Sequence, residues 1–160
     1  MNKMYVEWHQ FHLMIDALAD KVKASNWQPD YIVGLTRGGL IPATILSHRL
    51  KCPLETLKVS LRDGSEQEHN TWMAEDAYNK KKILIVDDLN DSGNTINWIM
   101  RDWMDSCLME DPVWNDVWGN SVKVAVLYNS KDSDAKLVPE YYIHELKEPK
   151  PWIVFPWENE

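Results

Sequence analysis

Residues 82–95 read Lys82-Ile83-Leu84-Ile85-Val86-Asp87-Asp88-Leu89-Asn90-Asp91-Ser92-Gly93-Asn94-Thr95. The stretch opens with four branched apolar residues, which is typical of a strand buried on both faces of a parallel sheet. Three acids and several small residues follow. From Ile96 onward, apolar residues return at helical spacing (Ile99, Met100, Trp103 and Met104). The pattern predicts a strand, an acidic turn, a small-residue loop and a helix, an arrangement in which backbone N–H groups can hold a phosphate.

Outside this stretch, the hydrophobic pattern predicts strands that alternate with helices. Strands are predicted at 4–7, 31–35, 54–60, 122–128 and 141–143, helices at 8–24 and 40–50, and a further apolar run at 152–157. Residues 61–81 are interpreted as a long polar loop containing at most a turn of helix, and 109–121 as a turn-rich surface connection. The alternation predicts an α/β fold with a mostly parallel central sheet flanked by helices.

Composition narrows the class of protein. A length of 160 residues favours a single domain over 1–160. The net charge of −8 argues against a nucleic-acid-binding face, which needs a basic patch. Cys52 and Cys107 have no metal-like spacing, so a reducing, cytoplasmic setting is expected. No apolar run approaches the ~18 residues of a transmembrane helix.

The acidic turn carries the candidate chemistry. Asp87 and Asp88 can accept hydrogen bonds from vicinal hydroxyls and help to hold a magnesium ion. Asp91 is placed to orient a substrate or accept a proton. Backbone N–H groups and hydroxyls around a monoester phosphate would come from Ser92, Gly93, Asn94 and Thr95. The alternative interpretation is that Asp91 and Ser92 only cap the helix and the other acids are solvated.

The run from Lys82 to Asp88 also resembles the start of a response-regulator receiver domain. That fold places this strand first and needs roughly 100 or more residues after it. Only 79 residues run from Lys82 to Glu160 (160 − 82 + 1). A receiver also needs an aspartate closing a later apolar strand, whereas the strand ending at Tyr128 is followed by Asn129-Ser130-Lys131. The receiver interpretation therefore fails.

The same stretch resembles the phosphoribosyl pyrophosphate (PRPP) motif of type I phosphoribosyltransferases. That motif is an apolar run, two acids, two variable residues and then Asp-Ser/Thr-Gly-x-Thr, and residues 86–95 match each constrained position. The resemblance implies that Asp87 and Asp88 serve the ribose hydroxyls and Mg²⁺. It also implies that Asp91 is the catalytic acid or base near the imidazole ring of the purine, and that residues 91–95 hold the 5′-phosphate. It also implies a small hood formed by the C-terminal and N-terminal segments.

A second segment resembles the pyrophosphate loop of this family. Thr36-Arg37-Gly38-Gly39 follows an apolar strand, as the family's Ser/Thr-Arg-Gly-Gly does. Glycine lets the backbone approach a diphosphate closely, and Arg37 would supply a cationic fork for it. Alone, Arg-Gly-Gly is an ordinary strand-to-helix turn. Two matching loops in the expected order, each closing a buried strand, favour the pyrophosphate site.

The C-terminus resembles the purine-using members of the family. Trp152-Ile153-Val154-Phe155-Pro156-Trp157-Glu158 is similar to their Trp-Ile, two residues, then Pro-Trp-Asp. The resemblance implies that Trp152 stacks on the purine and that main-chain groups near Ile153 read its pyrimidine edge. A core or dimer-interface role stays open for Trp114, Trp118 and Trp157.

Two features depart from the family pattern. The family carries a lysine just after the strand that here is predicted to end at Tyr128, where it meets the purine 6-oxo group. Lys131 is the nearest match, displaced from that position by Asn129 and Ser130, and a solvated loop lysine is the alternative interpretation. The predicted loop at 61–81 has Arg62 near its start and lysines only at its far end, against the acids Asp63, Glu66, Glu68, Glu75 and Asp76, so its closure over pyrophosphate has weaker support.

Together these features predict a purine phosphoribosyltransferase. It would use PRPP, Mg²⁺ and a 6-oxopurine, and the resemblance favours a homodimer or homotetramer. Two rival functions stay open: a protein of this fold that senses PRPP or a nucleotide without turnover, and a phosphoribosyltransferase for a non-purine base such as uracil or orotate. The sequence does not rank hypoxanthine, guanine and xanthine.

Overall fold

A computed structural model of the protein describes residues 2–59, 61 and 66–158. Within these residues, helices and strands alternate along most of the chain. The elements are β1 Lys3–Tyr5, α1 Trp8–Ala24, β2 Tyr31–Thr36, α2 Leu40–Leu50, β3 Leu54–Lys58, α3 Thr71–Tyr78, β4 Ile83–Val86, β5 Leu89–Asn90, α4 Asn94–Ser106, α5 Trp114–Val117, β6 Val122–Ser130, β7 Tyr141–Leu146 and β8 Trp152–Val154. None of the described helices is long and apolar enough to cross a membrane.

The central sheet is parallel at each of its described pairings. Its strands run in the order β3-β2-β4-β6-β5, and β7 also pairs with β6. Strands β2 and β4 are buried along almost their whole length because they lie in the middle of the sheet with helices on both faces. The predicted α/β class, with a mostly parallel sheet flanked by helices, is confirmed.

Strands β4 and β5 pair with the same side of β6, β4 near its start and β5 nearer its end. Ala125 pairs with Val86 of β4 on one side and with β7 on the other, while Tyr128 pairs with Leu89 of β5 and again with β7. Asp87 and Asp88 therefore lie at a break between two strands that pair with the same side of β6. Their backbone stays attached to β6, because the N–H groups of Leu127 and Tyr128 donate to the Asp88 carbonyl oxygen at 3.0 and 3.2 Å.

Two apolar cores cover the two faces of the sheet. Strand alternation sends Leu84 and Val86 of β4 to the face covered by α1 and α2, and Ile83 and Ile85 to the face covered by α3 and α4. The second core includes an aromatic stack, in which the Trp114 and Trp118 rings lie 5.4 Å apart at 15° and Trp103 extends the stack.

The two ends of the chain form the hood that the family resemblance implies. Strands β1 and β8 pair in parallel, with Lys3 opposite Trp152, as a separate two-stranded sheet. The Trp152 N–H donates to the Asn2 carbonyl oxygen at 2.8 Å, and the Val6 N–H donates to the Val154 carbonyl oxygen at 2.9 Å.

The structure corrects several predicted elements. The segment 61–81 is not a loop throughout, because helix α3 occupies its second half, while Arg62 and the rest of 62–65 lie outside the described residues. The helix predicted after the small-residue loop is α4, β6 reaches Ser130 rather than ending at residue 128, and β7 reaches Leu146 rather than ending at residue 143. At the start of the chain, β1 spans Lys3–Tyr5 rather than 4–7, and β3 ends at Lys58. The predicted bounds of α1 and α2 are confirmed.

The hydrophobic pattern of the sequence did not predict helix α3, and there is a physical reason for this. Its buried positions are Met73, Ala74 and Ala77, so two of the three carry only a methyl group and give little hydrophobic periodicity. The local sequence feature that could have indicated this helix is its N-cap residue, Asn70. Its side chain accepts a hydrogen bond from the Met73 N–H at 2.9 Å.

Candidate active site

A cavity of about 740 Å³ opens at the carboxyl ends of β2 and β4. This edge of an open parallel sheet is where ligands bind, and the volume suits a nucleotide-sized molecule. The cavity brings together three segments that the sequence analysis identified separately. The predicted site residues that line it are Thr36, Arg37, Gly38, Asp87, Asp88, Asp91, Ser92, Gly93, Asn94, Thr95, Trp152 and Ile153.

The loop at 36–39 lies directly against the end of β4. Arg37 is exposed, and the peptide bond between Thr36 and Arg37 is cis. Gly39 does not line the cavity but is buried, and a Cβ there would lie 2.4 Å from the Val86 carbonyl oxygen and 2.9 Å from the Asp87 Cα. Gly39 therefore acts by letting two backbone segments touch, which keeps the 36–39 loop beside the acid pair.

The loop at 91–95 leads directly into α4. Gly93 has φ +91°, a conformation that favours glycine, and the Asn97 N–H donates to its carbonyl oxygen at 3.0 Å. The Ser92 hydroxyl oxygen accepts from the Asn94 N–H at 3.2 Å. Asn94, Thr95 and Ile96, the first residues of this 13-residue helix, line the cavity, and a helix N-terminus favours an anion.

A second loop supports the 91–95 loop from behind. The buried Asn90 side chain donates to Asn129 Oδ1 and to Ser133 Oγ, both at 2.8 Å. The Asp134 N–H donates to the Ser92 carbonyl oxygen at 2.8 Å. Sequence reasoning missed these supporting residues, because Asn90 occupies a variable position of the motif and its partners lie about 40 residues away in the sequence.

The acid pair is held by its own backbone. The Asp88 N–H donates to Asp87 Oδ1 at 2.8 Å, and the Asp87 N–H donates to the Ala125 carbonyl oxygen at 3.1 Å. Both side chains are half-buried and face the cavity. Among the described residues, no group of three or more His, Cys, Asp or Glu side chains is arranged to hold a metal ion. The pair fits Mg²⁺ of the kind that takes one or two carboxylates and completes its coordination with substrate phosphates and water.

The hood forms the opposite wall of the cavity. Trp152 presents an exposed indole, whereas Ile153 is buried. Behind them, Phe155 and Trp157 stack with ring centroids 5.0 Å apart and planes only 5° from parallel, and both line the cavity. Trp157 therefore belongs to the cavity wall, while Trp114 is buried in the core.

Lys131 and Lys150 both lie outside the residues that line the cavity, but Lys150 contacts Asp91. Lys131 has an exposed side chain and does not line the cavity. Lys150, which the sequence analysis did not select, donates to Asp91 Oδ1 at 2.7 Å. This hydrogen bond raises the pKa of the Lys150 ammonium, although partial burial opposes the shift. No local sequence pattern could identify this contact, because Lys150 and Asp91 lie 59 residues apart in the sequence.

Comparison with known proteins agrees with this geometry. The family model for the phosphoribosyl transferase domain matches residues 1–160. The chain is 30% identical to xanthine-guanine phosphoribosyltransferase of Gluconobacter oxydans, over 96% of this chain and 83% of that protein. It is 25% identical to xanthine phosphoribosyltransferase 1 of Saccharomyces cerevisiae, over 99% of this chain and 91% of that protein.

A solved structure extends the comparison to three dimensions. The crystal structure of purine phosphoribosyltransferase from Pyrococcus horikoshii superposes with a TM-score of 0.71 and 32% identity, covering 100% of this chain and 96% of that one. The fold, the cavity at the sheet edge and the family match define a phosphoribosyltransferase. The chain belongs to the phosphoribosyl transferase domain family.

Proposed function

We propose that this protein is a purine-salvage phosphoribosyltransferase, which transfers the 5-phosphoribosyl group of PRPP to a 6-oxopurine (hypoxanthine, guanine or xanthine). The products are the nucleoside monophosphate and pyrophosphate. The supporting observation is the single cavity that gathers the 36–39 loop, the 87–95 loop and Trp152. The names of the relatives, which specify xanthine, guanine or purine as substrates, point to the same class of base.

The two loops divide the binding of PRPP. Arg37 and the backbone at 36–39 would hold the pyrophosphate, because a guanidinium and close-approaching glycine backbone suit a diphosphate. The N–H groups and hydroxyls at 91–95 would hold the 5′-phosphate at the N-terminus of α4. Asp87 and Asp88 would accept hydrogen bonds from the ribose hydroxyls that lie between these two anionic ends.

The transfer breaks the bond between the ribose C1′ and a pyrophosphate oxygen, and the pyrophosphate keeps the bonding pair. A new bond forms between C1′ and an imidazole nitrogen of the base, which loses its proton. Asp91 lines the same cavity as Trp152, and its carboxylate would accept that proton. Carboxylates near the ribose would stabilise the positive charge that develops at C1′.

We also propose that Mg²⁺ takes part through Asp87 and Asp88. When bound, it would neutralise charge on the leaving pyrophosphate. The Asp88 carboxylate is oriented toward the 36–39 loop, so the acid pair and Arg37 would meet the same diphosphate from two sides. Because the protein carries a net charge of −8, the positive charge of Mg²⁺ and Arg37 is needed at the site to bind a polyanionic substrate.

The exposed indole of Trp152, next to the buried Ile153 in the cavity wall, suggests how a base would be held. A planar indole gives a base a stacking surface worth ~1–3 kcal/mol. Main-chain groups of the hood next to Ile153 would then face the pyrimidine edge. A homodimer or homotetramer, a cytoplasmic location and a single domain over 1–160 remain predictions beside this function.

A panel assay tests the proposal. PRPP and Mg²⁺ are supplied with hypoxanthine, guanine, xanthine, uracil or orotate, and nucleotide and pyrophosphate are measured at steady state. Turnover with 6-oxopurines alone is expected. Nucleotide formation from uracil or orotate alone would favour the non-purine enzyme, and tight PRPP or nucleotide binding without any turnover would favour a sensor of the same fold.

A further inference from the structure

The loop at 91–95 rests against a second loop, residues 129–136, which we call the brace. The brace starts with the last two residues of β6 and lies outside the residues that line the cavity. A Cβ at Gly93 would lie 2.2 Å from the Ala135 backbone nitrogen and 2.7 Å from its Cα. The two backbone segments are therefore packed together at the point where Gly93 lines the cavity, and no side chain fits between them.

The Asn97 side chain fastens the helical end of the 91–95 loop to the brace. Asn97 lies in the first turn of α4, directly after the three helix residues that line the cavity. Its Nδ2 donates to the Asp134 carbonyl oxygen at 3.0 Å, and its Oδ1 accepts from the Lys136 N–H at 2.8 Å. The Asp134 N–H in turn donates to the Ser92 carbonyl oxygen at 2.8 Å. The brace is therefore bonded to the chain on both sides of Gly93.

The Asn90 side chain ties the start of the loop to the same brace. Asn90 is only 5% exposed, and its Nδ2 donates to Asn129 Oδ1 and to Ser133 Oγ, both at 2.8 Å. The Ser133 hydroxyl oxygen also accepts from the Ala135 N–H at 3.1 Å. A buried amide whose two N–H groups are both bonded has little freedom to move. The conformation of the 91–95 loop is therefore set by contacts with residues outside the cavity lining.

We propose that Asn90 and Asn97 are positioning residues, which act through the brace to hold the 91–95 loop in the conformation that binds a phosphate monoester. Backbone N–H groups bind an anion best when they already converge on one point, because ordering a loop on binding offsets part of the affinity. Neither asparagine holds a constrained position of the PRPP motif, since Asn90 is at a variable position and Asn97 lies two residues beyond the last one. The inference rests on the proposed function for the ligand of this loop. It adds that affinity for the phosphate depends on side chains bonded to the brace.

Asn97→Ala tests the proposal, because Asn97 lies outside the cavity lining and alanine is the better helix former. Dissociation constants of ribose 5-phosphate, a phosphate monoester, and of magnesium pyrophosphate are measured by titration calorimetry. The variant should weaken ribose 5-phosphate binding about 3- to 10-fold and leave pyrophosphate within about twofold, since pyrophosphate would bind at the 36–39 loop. Equal weakening of both ligands would overturn the proposal, because it indicates a general loosening of the site. Unchanged binding of ribose 5-phosphate would overturn it as well.

Two further variants make the test specific. Asn120→Ala removes an exposed asparagine whose side chain likewise donates to a backbone carbonyl oxygen, that of Asp116 at 3.1 Å, and it should leave both constants unchanged. Ser133→Ala removes the hydroxyl that accepts from Asn90, and it should weaken ribose 5-phosphate binding in the same direction as Asn97→Ala. Because both residues act through one brace, the double variant should lose less than the product of the two single losses. Losses that multiply would indicate independent effects and would overturn the shared brace.

Hydrogen exchange gives a second measurement that does not depend on a ligand. In Asn97→Ala, the amides of residues 92–95 should exchange faster than in the parent, whereas those of β4 should not. Equally faster exchange in β4 would indicate a general loss of stability and would count against a positioning role. The outcome for the proposed function is separate. A parent that binds ribose 5-phosphate in an Asn97-dependent way but forms no nucleotide would refute the enzyme and keep the positioning residues, and nucleotide formation with unchanged binding in Asn97→Ala would do the reverse.

Discussion

Gly38 and Asp88 occupy adjoining space across the two loops of the site. A Cβ at residue 38 would lie 2.3 Å from Asp88 Oδ2, closer than two non-bonded atoms can be. The group in the way is the end of a short side chain, so an alanine can be accommodated by moving the carboxylate. At Gly39 the atoms in the way belong to the backbone of Val86, Asp87 and Leu35, which cannot move so easily. Substitution of these two neighbouring glycines by alanine is therefore expected to have different effects, on the position of a side chain at Gly38 and on the backbone at Gly39.

Gly38→Ala should impair ligand binding more than folding. Displacement of the Asp88 carboxylate is expected to raise the dissociation constant of PRPP in the presence of Mg²⁺ by about tenfold, the loss of one charged hydrogen bond. Titration with PRPP measures it, and thermal unfolding monitors the fold. Gly119→Ala is the matched control, since a Cβ there meets nothing nearer than 3.9 Å and its strain is that of φ +85° alone. Unchanged PRPP binding in Gly38→Ala would contradict the assignment of Asp88.

Gly39→Ala should destabilise the fold directly. The new methyl group would press on the Val86 carbonyl oxygen at 2.4 Å, and overpacking of this kind costs about 1–3 kcal/mol or more. Urea unfolding followed by circular dichroism gives the free energy of unfolding. A stability equal to that of the parent would show that the contact between the 36–39 loop and β4 is looser than the structure indicates.

Asp91→Asn should lower kcat far more than the affinity for PRPP. The amide keeps the shape of the side chain but cannot accept the proton from the base, a loss of about 10²–10⁴-fold in typical general-base variants. Steady-state rates and PRPP titrations separate the two effects. Asp132→Asn serves as the control because Asp132 is an exposed acid on the neighbouring loop. Equal turnover in Asp91→Asn and the parent would remove Asp91 from the mechanism.

Trp152→Ala should raise the KM for the base and leave PRPP binding nearly intact. Loss of a stacking surface worth ~1–3 kcal/mol corresponds to a KM increase of about 5- to 150-fold. Trp72→Ala is a suitable control, because Trp72 is an exposed tryptophan on α3 that contacts the Tyr31 ring. An unchanged KM in Trp152→Ala would return Trp152 to a purely structural role in the hood.

The contact between Tyr78 and Asp111 predicts a pH-dependent stability. The Tyr78 hydroxyl donates to Asp111 Oδ2 at 2.6 Å, and the Val113 N–H donates to Oδ1 at 2.9 Å; these bonds hold the pKa of Asp111 below its usual value. A carboxyl with a depressed folded pKa stabilises the protein above its unfolded pKa of about 3.9 and loses that contribution as pH falls through the folded value.

Tyr78→Phe should therefore lower Tm by at most a few degrees near neutral pH, and the difference from the parent should narrow below about pH 4. Calorimetric scans of both proteins across this range measure it. A difference that stays constant with pH would mean that the hydroxyl acts through packing alone.

The sequence predicted those parts of the fold whose signal is local. The apolar run Ile83–Val86 and the periodic face of α1 required no knowledge of distant residues, and the motifs of the two proposed phosphate loops each lie within a few positions of the sequence. Helix α3 was missed because alanines fill two of its buried positions. The contact of Lys150 with Asp91 was missed because the two residues lie 59 positions apart in the sequence. The supporting contact of Asn90 with Ser133 is non-local in the same sense.

The pairing of β1 with β8 has a consequence for the order in which the site is built during synthesis. Chains emerge from the ribosome N-terminus first, and both phosphate loops precede β8 in the sequence. We expect the surface for the sugar diphosphate to form while β1 still lacks its partner. The wall that carries Trp152 is then completed when β8 is released and pairs with β1.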